Sequence, residues 1–187
     1  MVSFATKPTI TGERVLLRPV TGDDVDDAWA DMHDDEANRL TGTHDEFTYE
    51  QIASWYSTRS DEPDRLDLAI VELATGRWCG EVVINEWDAD NRSCSFRIAV
   101  SAHARDRGIG TAATKLLVDY VFDEIDEPAP INRIGLEVFA FNPRAIHVYE
   151  RLGFVREGVL RDALYWDGAF HDAIVMSALR RDRPATR

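Results

Sequence analysis

The sequence predicts a mixed α/β fold, with a central, mostly antiparallel sheet of about seven strands flanked by about four helices. Three observations support this. Several runs alternate apolar and polar residues with period two, as half-buried strands do, while others repeat apolar residues at helical spacing. The strand-like runs mostly follow one another through short turns, which favours antiparallel pairing. The order they give, β-α-α-β-β-β-α-β-α-β-β, lacks the strict strand–helix alternation of a doubly wound parallel sheet. At 187 residues the chain is expected to be one domain, with its core at 13–179.

Residues 1–12 read as an extended lead-in and 13–20 as the first strand. Thr21-Gly22-Asp23-Asp24 supplies a turn and an acidic helix start, which the helix dipole favours. Val25, Ala28, Trp29 and Met32 continue at helical spacing to about Asp35, whereas 36–48 is polar and carries no predicted element. A second helix spans 49–59, with Ile52, Trp55 and Tyr56 on its apolar side. Strands at 66–73 and 78–87 pair around Ala74-Thr75-Gly76-Arg77. Cys94, Phe96, Ile98 and Val100 then share one face of the next strand. After Arg105-Asp106-Arg107-Gly108-Ile109-Gly110-Thr111, the residues Ala113, Leu116, Leu117, Tyr120 and Val121 predict a long helix. It runs to about Ile125, and Pro128 and Pro130 close it. A strand follows at 132–139, where Ile134, Leu136 and Val138 alternate with Arg133, Gly135 and Glu137. The next helix has Asn142 as N-cap, Pro143 at its first position, Gly153 beyond its end, and an inner stripe of Ala145, Val148, Tyr149 and Leu152. A strand begins at 154–158, Asp167-Gly168 marks a tight hairpin, and 172–179 is the last strand before a polar tail.

The glycine loop is the candidate chemical centre. Glycines at a helix entrance leave unpaired N–H groups at the positive end of the dipole, where a phosphate can approach closely. Arg105 and Arg107 add charge. The motif alone is equally a flexible helix start with two surface arginines. It is neither the dinucleotide Gly-x-Gly-x-x-Gly nor a nucleotide P-loop, since no Gly-Lys-Ser/Thr follows. The net charge of −13 argues against a nucleic-acid partner; it reads first as solubility, although an acidic surface would also favour a cationic acceptor such as an amine. Only Lys7 and Lys115 are lysines, and Asp outnumbers Glu 21 to 13. Cys79 and Cys94 read as small core residues of a reduced protein. No signal-peptide core and no apolar run of membrane-spanning length are present, so the expectation is a cytoplasmic protein with no membrane partner. The five histidines show no metal-ligand spacing, and Gly-x-Ser-x-Gly is missing, so neither a metal nor a hydrolase triad is expected.

Arg105-x-x-Gly108-x-Gly110 opening a helix, followed by a strand and Asn142 to Phe154 (NPRAIHVYERLGF), resembles the GCN5-related N-acetyltransferase (GNAT) family. The opening ERVLLRPVTGDDVDDAW and closing REGVLRDALYWDGAFHDAIVMSAL are similar to the subgroup containing ribosomal-protein N-terminal acetyltransferases, which also includes enzymes acting on antibiotics and small amines. The resemblance implies acetyl-CoA as co-substrate and direct attack of an amine on its thioester. The leading acceptor is a protein N-terminal α-amine; a small amine or aminoglycoside-like antibiotic is the alternative, and a non-catalytic CoA-binding module is a different class. It places the pantetheine arm beside Ile98, Ala99 and Val100, and the pyrophosphate on Arg105, Asp106, Arg107, Gly108, Ile109, Gly110 and Thr111. Asn142 would bond the cofactor, although a helix cap explains it almost as well. Tyr149 takes the general-acid position and Glu137 is the first candidate for base, with Glu81, Glu86 and His171 in reserve. A core tyrosine and an ordinary strand glutamate are the plain alternatives. Trp29, Trp55, Tyr165 and Trp166 are candidates to line the acceptor side. A monomer or homodimer is expected.

Overall fold

The alternating runs build one eight-stranded sheet in a computed structural model that describes residues 4, 6–126 and 129–183. Strands β1 (Ile10–Thr11), β2 (Val15–Pro19), β3 (Leu66–Glu72), β4 (Trp78–Asp88) and β5 (Ser93–Val100) are antiparallel neighbours in chain order. Next come β6 (Arg133–Phe139), parallel to β5, then β8 (Ala169–Leu179), with β7 (Val155–Trp166) at the outer edge. Helices α1 (Val25–Met32), α2 (Asp35–Thr41) and α3 (Tyr49–Thr58) lie between β2 and β3, α4 (Ile109–Asp123) between β5 and β6, and α5 (Pro143–Arg151) between β6 and β7.

Two apolar layers sandwich the sheet. Ile109, Ala113, Leu117 and Val121 of α4 and Ile146 and Tyr149 of α5 pack on Leu68, Ile70, Val82, Phe96, Ile134 and Leu136. Ala28, Ile52 and Tyr56 pack on Ala69, Val71 and Trp78 across the other face. Burial of these side chains is the main stabilising term, the larger aliphatic and aromatic ones contributing about 1.5–3 kcal/mol each where fully enclosed.

The architecture agrees with the predicted class, with one more strand and one more helix. The added strand is the two-residue β1. The added helix, α2, lies in the stretch expected to be irregular. Its sequence buries nothing, but Asp34 caps its first turn by accepting from the Glu36 and Ala37 N–H groups, and Gly42 ends it at φ +68°. In α5 the enclosed residues are Ile146 and Tyr149, so Ile146 joins the expected stripe while Ala145, Val148 and Leu152 are only partly covered. Pro128, one of the two prolines expected to close α4, lies outside the described residues.

Candidate active site

Three residue pairs join β5 to β6: Ser93 with Arg133, Cys94 with Ile134, and Ser95 with Gly135. Beyond them the strands part, so from Phe96 to Val100 one flank of β5 has no strand beside it. A cleft of about 1400 Å³ opens there, lined by the end of β5, the glycine loop, the start of α5 and parts of α2, α3, β4 and β6.

The loop's glycines are needed for geometric reasons. Gly108 sits at φ +76°, a left-handed conformation that a side chain would strain. At Gly110 an added Cβ would lie 3.2 Å from Val100 Cγ2, so the glycine lets α4 start against the end of β5. The first helical bond runs from the Ala112 N–H to the Gly108 carbonyl at 3.0 Å. Among the described residues, nothing accepts from the N–H groups of Gly108, Ile109, Gly110 and Thr111. Four unpaired donors at the positive end of a 15-residue helix form an anion cradle.

The loop's charged side chains are engaged differently from the simple expectation. Arg105 lines the cleft, but its guanidinium donates to Asp34 and Glu36, both at 2.6 Å, and to the Val100 carbonyl at 3.1 Å. Asp106 pairs with Arg144 at 2.9 Å. Arg107 turns to Glu72 at 2.5 Å and Ile109 is fully enclosed; neither lines the cleft, leaving their backbone as the part offered to an anion. Arg14, to which the sequence assigned no role, donates to the Arg107 carbonyl at 2.8 Å and lies against Gly108. Only the approach of the chain just before β2 to the loop reveals it.

Tyr149 lines the cleft with its ring packed edge-on against Phe96, centroids 6.2 Å apart, and beside Phe154 at 5.8 Å. Its hydroxyl has no hydrogen-bond partner among the described residues. Burial holds the phenol above its usual pKa, so it stays protonated. Asn142 is the helix cap, its Oδ1 accepting from the Ala145 N–H at 3.1 Å; it also lines the cleft, with its amide nitrogen uncommitted.

The carboxylates lie on the opposite face. Ile98 and Val100 point at α4, so Ala99 and its register partner Glu81 point towards α1–α3. Glu137 shares that face, because Leu136 and Val138 are buried on the other. It is exposed, lines the cleft and has no ion pair among the described residues. Glu81 is largely enclosed and accepts from the Tyr56 hydroxyl at 2.9 Å. Burial pushes its carboxyl above the usual range, against that hydrogen bond. Glu86 also lines the cleft but accepts from Ser95, and His171 lies outside it, edge-on to Phe141. Of the four aromatics proposed for the acceptor side, Trp55 lines the cleft and Trp29, Tyr165 and Trp166 do not. A thioester in the gap would therefore have a phenol on one side and carboxylates on the other.

Both cysteines are buried and unpaired, with burial pushing the Cys94 thiol up to about 12. The described residues contain no group of three or more side chains able to hold a metal ion. They contain no helix long and apolar enough to cross a membrane.

Residues 14–155 match the model of the acetyltransferase (GNAT) domain. The chain belongs to this family. GNAT proteins are acyl-CoA-dependent N-acyltransferases that use acetyl-CoA as co-substrate. Over 110 residues this GNAT chain is 33% identical to YdaF of Bacillus subtilis (strain 168), named as a candidate ribosomal N-acetyltransferase, covering 59% of this chain and 58% of YdaF. Over 113 residues it is 31% identical to the spermidine N(1)-acetyltransferase of Escherichia coli (strain K12), covering 60% and 59%. These two matches thus span less than two thirds of each relative. In fold, it resembles the spermidine N-acetyltransferase from Vibrio cholerae crystallised with CoA and spermine. The TM-score is 0.82 at 20% identity, over 91% of this chain and 98% of that one.

Proposed function

We propose that this chain transfers an acetyl group from acetyl-CoA to a primary amine by direct attack in a ternary complex. The parting of β5 and β6 carries this reading: it leaves a bare strand flank ending at a cradle of four unpaired N–H groups, with Tyr149 and the carboxylates on opposite faces. The pantetheine arm lies beside Ile98, Ala99 and Val100, and residues 105–111 hold the pyrophosphate, chiefly through backbone donors. Asn142 offers its amide nitrogen. The amine nitrogen attacks the thioester carbonyl carbon, a backbone N–H near Val100 supports the oxyanion, and the C–S bond breaks. Tyr149 protonates the departing thiolate, and a carboxylate takes the proton of the amine.

Glu137 is the first candidate for that base, being unpaired and exposed to the cleft. Glu81 is the second, favoured by its position opposite Ala99 and its raised pKa. Coenzyme A thiol release by Glu137→Gln and Glu81→Gln separates them: the true base loses turnover and its low-pH limb, with acetyl-CoA affinity kept. For Glu81 that limb lies above the usual 4.5.

For the acceptor, a protein N-terminal α-amine is supported by the name of YdaF, and a small amine equally by the spermidine enzymes. Thiol release measured separately with free-N-terminus peptides, polyamines and aminoglycosides chooses among them. No release with any pool, despite intact acetyl-CoA binding, would exclude these three acceptor classes and leave either an acceptor outside them or a CoA-binding module.

A further inference from the structure

The acceptor half of the cleft holds charge that cancels only in part. Arg65 is satisfied by Asp67, through bonds of 2.6 and 2.7 Å. Arg59 has no such partner. Its guanidinium lies over the Trp55 ring, 3.9 Å from the centroid, and no carboxylate among the described residues comes within ion-pair distance. Burial and the neighbouring Arg65 disfavour its charge and outweigh Asp67, Glu81 and Glu62, which favour it. Glu81 feels the attraction of Arg59 without an ion pair to it; among the described residues, Tyr56 is its one side-chain hydrogen-bond partner. Both residues line the same cleft. Arg97 adds a second cation. It lies opposite Val83 on the face that carries Glu81, lines the cleft, and is without an ion pair among the described residues.

A carboxylate and a guanidinium that face one cavity without meeting present two poles. An acceptor carrying only positive charge would satisfy Glu81 and Glu137 but be repelled by Arg59 and Arg97. An acceptor carrying an ammonium and a carboxylate satisfies both. We propose that the acceptor site binds a zwitterion, with the amine facing the Glu81 and Glu137 carboxylates and an acceptor carboxylate on Arg59, whose guanidinium lies over Trp55. The acceptor class is then a free amino acid or a short peptide with a nearby carboxylate, rather than a polyamine. This rests on the N-acetyltransferase reading and narrows its substrate.

The test is calorimetry on the full chain saturated with coenzyme A, which stands in for the donor without reacting. The titrants are the common L-amino acids, acidic dipeptides, the matched amide of each, and spermidine. The expected result is at least one acid that binds about tenfold or more tighter than its amide, and tighter than spermidine. In Arg59→Gln that preference collapses to about twofold or less, and Arg59→Lys restores part of it. A tighter amino acid than dipeptide identifies a free amino acid as the source of the carboxylate; the reverse identifies a peptide. Equal binding of acid and amide, tighter spermidine binding, or no binding by any titrant overturns the proposal. Thiol release with the same compounds keeps the two readings apart. Turnover without a carboxylate preference defeats the zwitterion site alone. A carboxylate preference without turnover defeats the acetyltransferase reading alone.

Discussion

The Tyr149 ring is enclosed by Phe96 and Phe154, yet its hydroxyl faces the cleft without a partner. A buried phenol held above its usual pKa keeps its proton until a stronger base, such as a departing thiolate, forms beside it. Tyr149→Phe removes one oxygen and fills the same space. Turnover in a thiol-release assay should fall by ~10²–10⁴ while the dissociation constant of acetyl-CoA stays within about twofold. Gly80 matters for a different reason. Its φ is +121°, and a Cβ would come 2.1 Å from the Ala99 carbonyl oxygen. Gly80→Ala should cost on the order of 3 kcal/mol in urea denaturation and displace the Ala99–Val100 backbone that lines the cleft. Helix punctuation and apolar spacing put Tyr149 on the inner stripe of α5, but its chemical role was legible only through the family resemblance. Arg14 and Arg59 were not, since their importance comes from what folds against them.

At the scale of elements, α2 shows where sequence pattern runs out. DEANRLT buries none of its residues, so no apolar stripe marks a helix; only the Asp34 and Gly42 caps do. Arg105 fastens this short helix to the glycine loop through Asp34 and Glu36. Arg105→Ala should weaken acetyl-CoA binding and also speed amide hydrogen exchange in residues 35–41. Exchange rates equal to those of the unmutated chain would show that the tie does not hold α2. The long β7 was seen only as fragments for a related reason. It is an edge strand, nearly all exposed, with register shifts between Arg156 and Gly158 and between Leu160 and Leu164, so period two is lost. Glu157 ties this edge inward by accepting from Arg133 of β6 and Ser177 of β8. These bonds hold its carboxyl at about 2, against 4.5 for the free group. Because the folded value is the lower one, the stabilisation is complete above about pH 4.5 and disappears as pH falls through about 2. The group is more than one third exposed, so its worth is below about 1 kcal/mol. Glu157→Gln should flatten that part of an acid-unfolding curve followed by circular dichroism.

Across the whole molecule, the two thiols report global rather than local opening. Cys79 and Cys94 lie in the same apolar layer, and burial raises both above the usual thiol range. At pH 8 both should resist a thiol reagent for as long as the fold persists, and both should react together in urea. A thiol modified quickly in the native protein would contradict this packing. The strand order was largely readable because most neighbours in the sheet are neighbours in the chain; the parting of β5 from β6 was not, being a relation between distant segments. That parting also divides the molecule mechanically. One block carries β1–β5 and the first four helices, the other β6–β8 and α5; three strand pairs, apolar contacts such as Phe96 with Tyr149 and Phe154, and ion pairs such as Asp106 with Arg144 sew them together. A cofactor lodged in the gap, touching both, would act as a clasp between them.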